Sequence, residues 1–104
     1  MTARKVIQPK TTAETRLEPF DFSSFLGAGE TISTAVATAA VWSGTDAAPS
    51  GVINGVASIS GTVATQSLTA GVAGVIYAII MTITTNLAQT LQISGFLTVT
   101  PTAP

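Results

Sequence analysis

Between Ala47 and Pro104 the chain carries no Asp, Glu, Lys or Arg, and that absence restricts the fold more than any motif does. Solvated surfaces of monomeric domains intersperse charges of both signs, which keeps them soluble and apart. A stretch this long without a charge must cross a bilayer, fill a core, or lie against other subunits.

Length argues against the first option. The most apolar part, from Gly71 to Ile83, would reach about 20 Å as a helix at about 1.5 Å per residue, against about 30 Å of hydrocarbon. Extending it takes in Gln66, Ser67, Thr69, Thr84, Thr85 and Asn86, and no basic flank sets an orientation. The start, M-T-A-R-K-V-I-Q-P-K, is basic but leads into no apolar segment of the signal-peptide kind. No membrane partner is expected.

Periodicity points to strands. Tyr77, Ile79, Met81 and Ile83 alternate with Ile76, Ala78, Ile80 and Thr82, a period of two in β-branched and aromatic residues. The odd-numbered set is expected to face a core. Asn86 to Gln89 has the length of a hairpin loop. Beyond it Thr90 to Thr100 alternates again, with Leu91, Ile93, Leu97 and Val99 on one face and Ser94, Phe96 and Thr98 on the other. Gly95 interrupts this strand, which predicts a bulge or a close backbone approach.

Upstream, T-I-S-T-A-V-A-T-A-A-V-W-S-G lacks a charged face and is rich in β-branched residues, so it reads as a strand with Ile32, Val36, Ala40 and Trp42 on one side. The Gly, Asp, Pro and Ser cluster from Gly44 to Gly51 is a turn. Two short strands follow, Val52 to Ser60 and Thr62 to Leu68. Short strands at this spacing, without an amphipathic helix, predict an all-β fold, an immunoglobulin-like antiparallel β-sandwich with an extended N-terminal arm. The domain division is residues 1–20 as arm, 21–100 as sandwich and 101–104 as a C-terminal tail.

Seven of the nine charged residues fall in the first 21 positions. This segment cannot build a core of its own. It is either a disordered tail or a docking arm, in which Val6 and Ile7 add a strand to a neighbour, Leu17 packs, and Arg4, Lys5 and Arg16 set orientation. Next come Phe20, Phe22 and Phe25, which either fold onto the sandwich or anchor an interface. Asp21 or Ser23 could cap a single helical or 3₁₀ turn there.

Chemistry of its own is hard to find. Histidine and cysteine are absent, so no thiolate, imidazole base or disulfide exists. The body retains Glu30, Asp46, Tyr77 and hydroxyls, with no evident base to activate Ser23 or Ser24. No catalytic residue, metal site, cofactor or small-molecule substrate is expected. The net charge of −1 gives no attraction for nucleic acid.

Two patterns carry a resemblance. D-F-S-S-F-L-G-A-G-E-T-I places Asp21, Phe22, Ser23, Phe25, Leu26, Gly27, Glu30, Thr31 and Ile32, and the later Tyr77, Thr82, Ile83, Thr84 and Thr85 precede a final alternating strand ending F-L-T-V. Over about residues 20 to 99 the chain resembles a family of small bacteriophage virion proteins, described as fibre-tail adaptor or structural proteins. The resemblance implies a non-enzymatic, multi-copy adaptor or decoration subunit that docks on a tail, head or fibre platform and associates with itself and other virion proteins. It implies a place in the virion, after assembly in the host cytoplasm. The loop Asn86 to Gln89 and the last strand hold fewer charges than the family pattern, which suggests a more buried neighbour. The competing reading is a secreted or surface carbohydrate-binding sandwich, for which Trp42 and Tyr77 are the available aromatic platforms.

Overall fold

The computed structural model describes residues 2–101, so the tail expected at 101–104 lies outside the described residues apart from Pro101. Eight strands follow one another in the chain: β1 (Thr2–Arg4), β2 (Lys10–Thr11), β3 (Arg16–Asp21), β4 (Ile32–Ser43), β5 (Ile53–Ser60), β6 (Val63–Leu68), β7 (Ile76–Thr85) and β8 (Thr90–Thr100). Single 3₁₀ turns occupy Ser23–Phe25 and Pro49–Val52. The front sheet runs β1-β8-β7-β4, with β2 also on β8, and the back sheet runs β3-β6-β5. This is the all-β sandwich that the alternation predicts.

The core lies between the two sheets. Tyr77, Ile79, Met81 and Ile83 of β7 are fully buried, as are Leu97 and Val99 of β8, and Phe20, Ala64 and Leu68 meet them from the back sheet. Each large apolar side chain buried this way stabilises the fold by about 1.5–3 kcal/mol. Strand β7 is the middle of the front sheet, antiparallel to β4 on one side and β8 on the other. Its alternation therefore separates an inward row from an outward row, Ile76, Ala78, Ile80, Thr82 and Thr84.

Strand β4 departs from the sequence expectation. Ile32 is buried, but Val36 is 60 % and Trp42 67 % exposed. The inward face belongs instead to Ala35, Ala37, Ala39 and Val41, which pack on the core. A register shift between Ile32 and Thr34 is the cause. One extra residue in the strand reverses which parity points inward.

The N-terminal segment folds against its own domain. Strands β1 and β2 pair with β8 in parallel, the exception to an otherwise antiparallel architecture, and the expected boundary at residue 20 falls inside β3. Ile7 is buried over Gly95. A Cβ on Gly95 would stand 2.7 Å from Ile7 Cδ1 and 3.0 Å from the Lys5 carbonyl oxygen. The pairing of β7 with β8 runs unbroken through Gly95, so of the two roles expected for this glycine, close approach is the real one.

Candidate docking surface

Three strands set one uncharged sheet face outward. Pairing aligns Val36 with Thr82 and Gln92, Thr38 with Ile80 and Ser94, and Ala40 with Ala78 and Phe96. A second register shift, between Val41 and Ser43, sets Trp42 at the end of this face. The small side chains of Ala40 and Ala78 let the Trp42 ring approach Phe96, with centroids 4.9 Å apart at a tilt of 43°. On β1, Arg4 pairs with Ser94, in the neighbouring row of Thr38 and Ile80, and its guanidinium carbon lies 5.8 Å from the Phe96 centroid, a favourable cation–ring geometry. Arg4 is the only charged residue in this arrangement of rows. A sheet face with two exposed aromatic rings and almost no charge has the composition of the centre of a protein interface.

The six residues expected to form a docking arm divide in two. Arg4, Val6 and Leu17 are exposed. Lys5 pairs with the Glu18 carboxylate, donates to the Pro19 carbonyl, and lies 4.9 Å from the Phe20 ring centroid. Ile7 is in the core, and the Arg16 guanidinium donates to the Gln8 carbonyl. The same division holds for the aromatics. Phe20 and Phe22 are fully buried, whereas Phe25 is 38 % exposed, edge-on to Phe22 at 6.4 Å. Phe25 and Arg4 share the lining of a cavity of about 540 Å³ with Lys5, Pro19, Asp21 and Ile93. Residues from the arm and from the aromatic motif are thus brought to one opening at the β1 and β3 side of the sandwich.

The polar groups of the body hold the fold. Glu30 Oε2 accepts from the Thr85 hydroxyl at 2.6 Å and Oε1 from the Gly27 N–H at 3.0 Å, and these two bonds, the hydroxyl first, keep its carboxyl below the usual range. Asp46 accepts from the Ala48 N–H at 2.9 Å and from the Tyr77 hydroxyl at 2.7 Å, and is likewise lowered. Tyr77 also accepts from the Val72 N–H at 2.8 Å. Burial first, then its bond to Asp46, raises the phenol. Just before the 3₁₀ turn Asp21 Oδ1 accepts from the Ser23 N–H at 2.9 Å, but the N-cap position is Phe22, so neither Asp21 nor Ser23 caps the turn as expected.

Lys10 was invisible as a structural residue in the sequence. Its side chain is buried and its ammonium donates to the Thr11 and Ala70 carbonyls, each at 2.6 Å. Burial pulls its pKa down, partly offset by Glu14. Both body carboxylates, Glu30 and Asp46, are thus engaged in hydrogen bonds within the fold. Among the described residues no group of three His, Cys, Asp or Glu could hold a metal ion, and no helix is long and apolar enough to cross a membrane. The carbohydrate reading loses one of its two platforms, because the Tyr77 ring is fully buried.

Charge gives no signal for the outward rows of β4 and β8, since neither strand holds a charged residue on either parity, and the side that faces outward on β4 depended on the bulge. Comparison with known proteins adds the context. Residues 10–98 match the family model described as podophage GP4 fiber-tail adaptor protein gp77. No curated protein and no solved structure matches the chain.

Proposed function

The chain belongs to the podophage GP4 fiber-tail adaptor family, and from that membership we propose that it is a non-enzymatic, multi-copy virion subunit docking through the uncharged face of its front sheet. The observation that carries this reading is the cluster of Trp42, Phe96 and Arg4, two exposed rings and one cation on a face otherwise made of Thr, Ser, Gln, Ala, Val and Ile. Burying such a face against another virion protein removes apolar area from water at about 25 cal/mol per Å² and strands almost no charge. The exposed arm residues Arg4, Val6 and Leu17 and the ring of Phe25 extend the contact around the β1 edge. The family description supports a place in the tail or fibre over the alternative of a head decoration subunit.

Trp42 is the single tryptophan of the chain, so its emission reports directly on this face. Addition of purified tails should shift that emission to shorter wavelength as the indole leaves water. Ile80→Lys and Phe96→Ala should abolish binding while leaving the β-sheet circular dichroism unchanged. Tail binding that leaves Trp42 emission unmoved and tolerates Ile80→Lys would remove the face from the contact.

A further inference from the structure

Three of the four sheet edges of the sandwich carry devices against pairing with another chain, and the fourth, β4, carries none and has no strand paired to it among the described residues. On the front sheet, the β8 edge is covered by β1 and β2, strands of three and two residues that carry Arg4 and Lys10. On the back sheet, β3 reads R-L-E-P-F-D, with three charges and a proline, and β5 is broken by a register shift between Asn54 and Ser58 and by Gly55 at a φ of 75°. Short length, charge, proline and bulges are the devices that stop sheet edges from pairing with other chains. Strand β4 has none of them along its middle. Its twelve residues, I-S-T-A-V-A-T-A-A-V-W-S, contain no charge, proline or glycine. Both register shifts sit at its ends, so Thr34 to Val41 is regular, and among the described residues no strand pairs with its outer edge.

A second observation lies beside that edge. A cavity of about 130 Å³ opens in the seam between β4 and β5, lined by Ala35, Ala37, Val56 and Gln66 among others. The Gln66 side chain is buried, its amide nitrogen donating to the carbonyls of Asn54, Gly55 and Ser67. Among the described residues its Oε1 has no donor. A buried carbonyl oxygen left this way is costly, and a donor arriving along the seam would recover that cost.

We propose that the β4 edge pairs antiparallel with β4 of a second copy, about a two-fold axis at Thr38, joining the two front sheets into one. The sequence is self-complementary in that register. Thr38 meets its own equivalent, Ala37 meets Ala39, Val36 meets Ala40 and Ala35 meets Val41, so every pair keeps to one face. No pair opposes charges, Val36 and Val41 each fall against alanine, and Trp42 falls against Thr34. A two-fold contact requires this, since the same patch serves both partners. The outward faces with Trp42 and Phe96 then lie side by side on one continuous surface. The inference deepens the multi-copy reading above and rests on self-association, not on tail binding.

The chain has no cysteine, which makes the test direct. Opposed residues in an antiparallel pair have Cα atoms about 4.5–5.5 Å apart, within the roughly 4.4–6.8 Å that a disulfide spans. With oxidised glutathione, Thr38→Cys should give a covalent dimer, and Val56→Cys on β5, equally accessible, should not. Sedimentation should show a dimer for the unmodified chain and monomers for Thr38→Lys and for Thr38→Glu, because like charges then oppose each other across the axis. Mixing the two variants should restore the dimer. A monomeric unmodified chain, a Thr38→Lys chain that still associates, or equal cross-linking through position 56 would overturn the proposal. Tail binding by a strictly monomeric chain would sink this inference alone, and a β4-paired dimer that ignores tails would sink only the adaptor reading.

Discussion

Glu30 and Thr85 stand 55 positions apart in the chain and 2.6 Å apart in the fold. Asn86, next to Thr85, donates its backbone N–H to the Thr31 carbonyl at 3.1 Å and accepts the Thr31 N–H on its side-chain oxygen at 3.0 Å. The two segments that carry the family resemblance, around residues 21–32 and 77–85, are therefore two sides of one hydrogen-bonded junction. It fixes where β4 begins and where β7 ends. A Glu-Thr-Ile step and a Thr-Thr-Asn ending are needed together because each supplies the partners of the other.

Acid should loosen this junction. Glu30 and Asp46 both have folded-state pKa values below their ordinary ones. A carboxyl depressed in the folded state adds stability that is fully present above its unfolded value, about 4, and is lost as pH falls through the lower folded value. The melting temperature should therefore be flat from about pH 7 to pH 5 and drop below about pH 4. The paired change Glu30→Gln with Asp46→Asn should weaken that acid dependence, leaving the part due to Asp21, whose carboxyl is also lowered. An identical acid slope in the two chains, read by circular dichroism melts, would contradict this account.

The two faces of β7 should respond very differently to truncation. Ile79 is fully buried, and Ile79→Ala is expected to cost about 2–5 kcal/mol through lost burial and the cavity left behind. Thr84, on the outward row, should change stability by about 0.5 kcal/mol or less when replaced by alanine. Urea denaturation of both variants measures the contrast, and comparable losses would mean that the inward and outward rows are misassigned.

Ile7 and Gly95 should be energetically coupled. Gly95→Ala forces the Ile7 side chain and the Lys5 carbonyl to retreat, a local overpacking expected to cost about 1–3 kcal/mol. Ile7→Ala costs its own burial, yet it removes the nearest atoms that the new Cβ meets. The double variant should be more stable than the sum of the single effects predicts, by about 0.5 kcal/mol or more. Strict additivity would mean that the arm does not sit over Gly95 in solution.

Cutting the arm should separate stability from docking only at the right place. Removing residues 1–18 would take away half of β3 together with Glu18, whereas removing residues 1–9 takes away β1 and Ile7 and leaves both sheets otherwise paired. The shorter deletion is expected to remain folded with a lowered melting temperature, because it uncovers Ile93 and the β8 edge. It should also weaken tail binding through the loss of Arg4 and Val6. A deletion that melts as the full chain does would return residues 1–9 to the status of a loose tail.

Much of the architecture was legible because its signals are local. Period two with β-branched residues located β7 and β8, including the inward set Tyr77, Ile79, Met81 and Ile83, since alternation along a strand is dictated by backbone geometry alone. Gly95 was legible as a place of close approach, though not what approaches it. Phe20 and Phe22 settled in the core and Phe25 at a cavity mouth. Nothing in a row of three aromatics distinguishes those positions, because exposure depends on where the opposite sheet ends.

The sequence alone determined that this is a β-rich chain whose C-terminal half carries no charge, because composition and periodicity act residue by residue and survive any arrangement of the strands. Tertiary structure decided the rest. Which face of β4 turns outward followed from a one-residue bulge beside Ile32, and the fate of the arm followed from the slot above Gly95. The Glu30–Thr85 junction and the buried Lys10 followed from backbone carbonyls and hydroxyls brought in from distant strands. Each of these depends on a partner far away in the chain, and partners of that kind exist only once the two sheets have closed on each other.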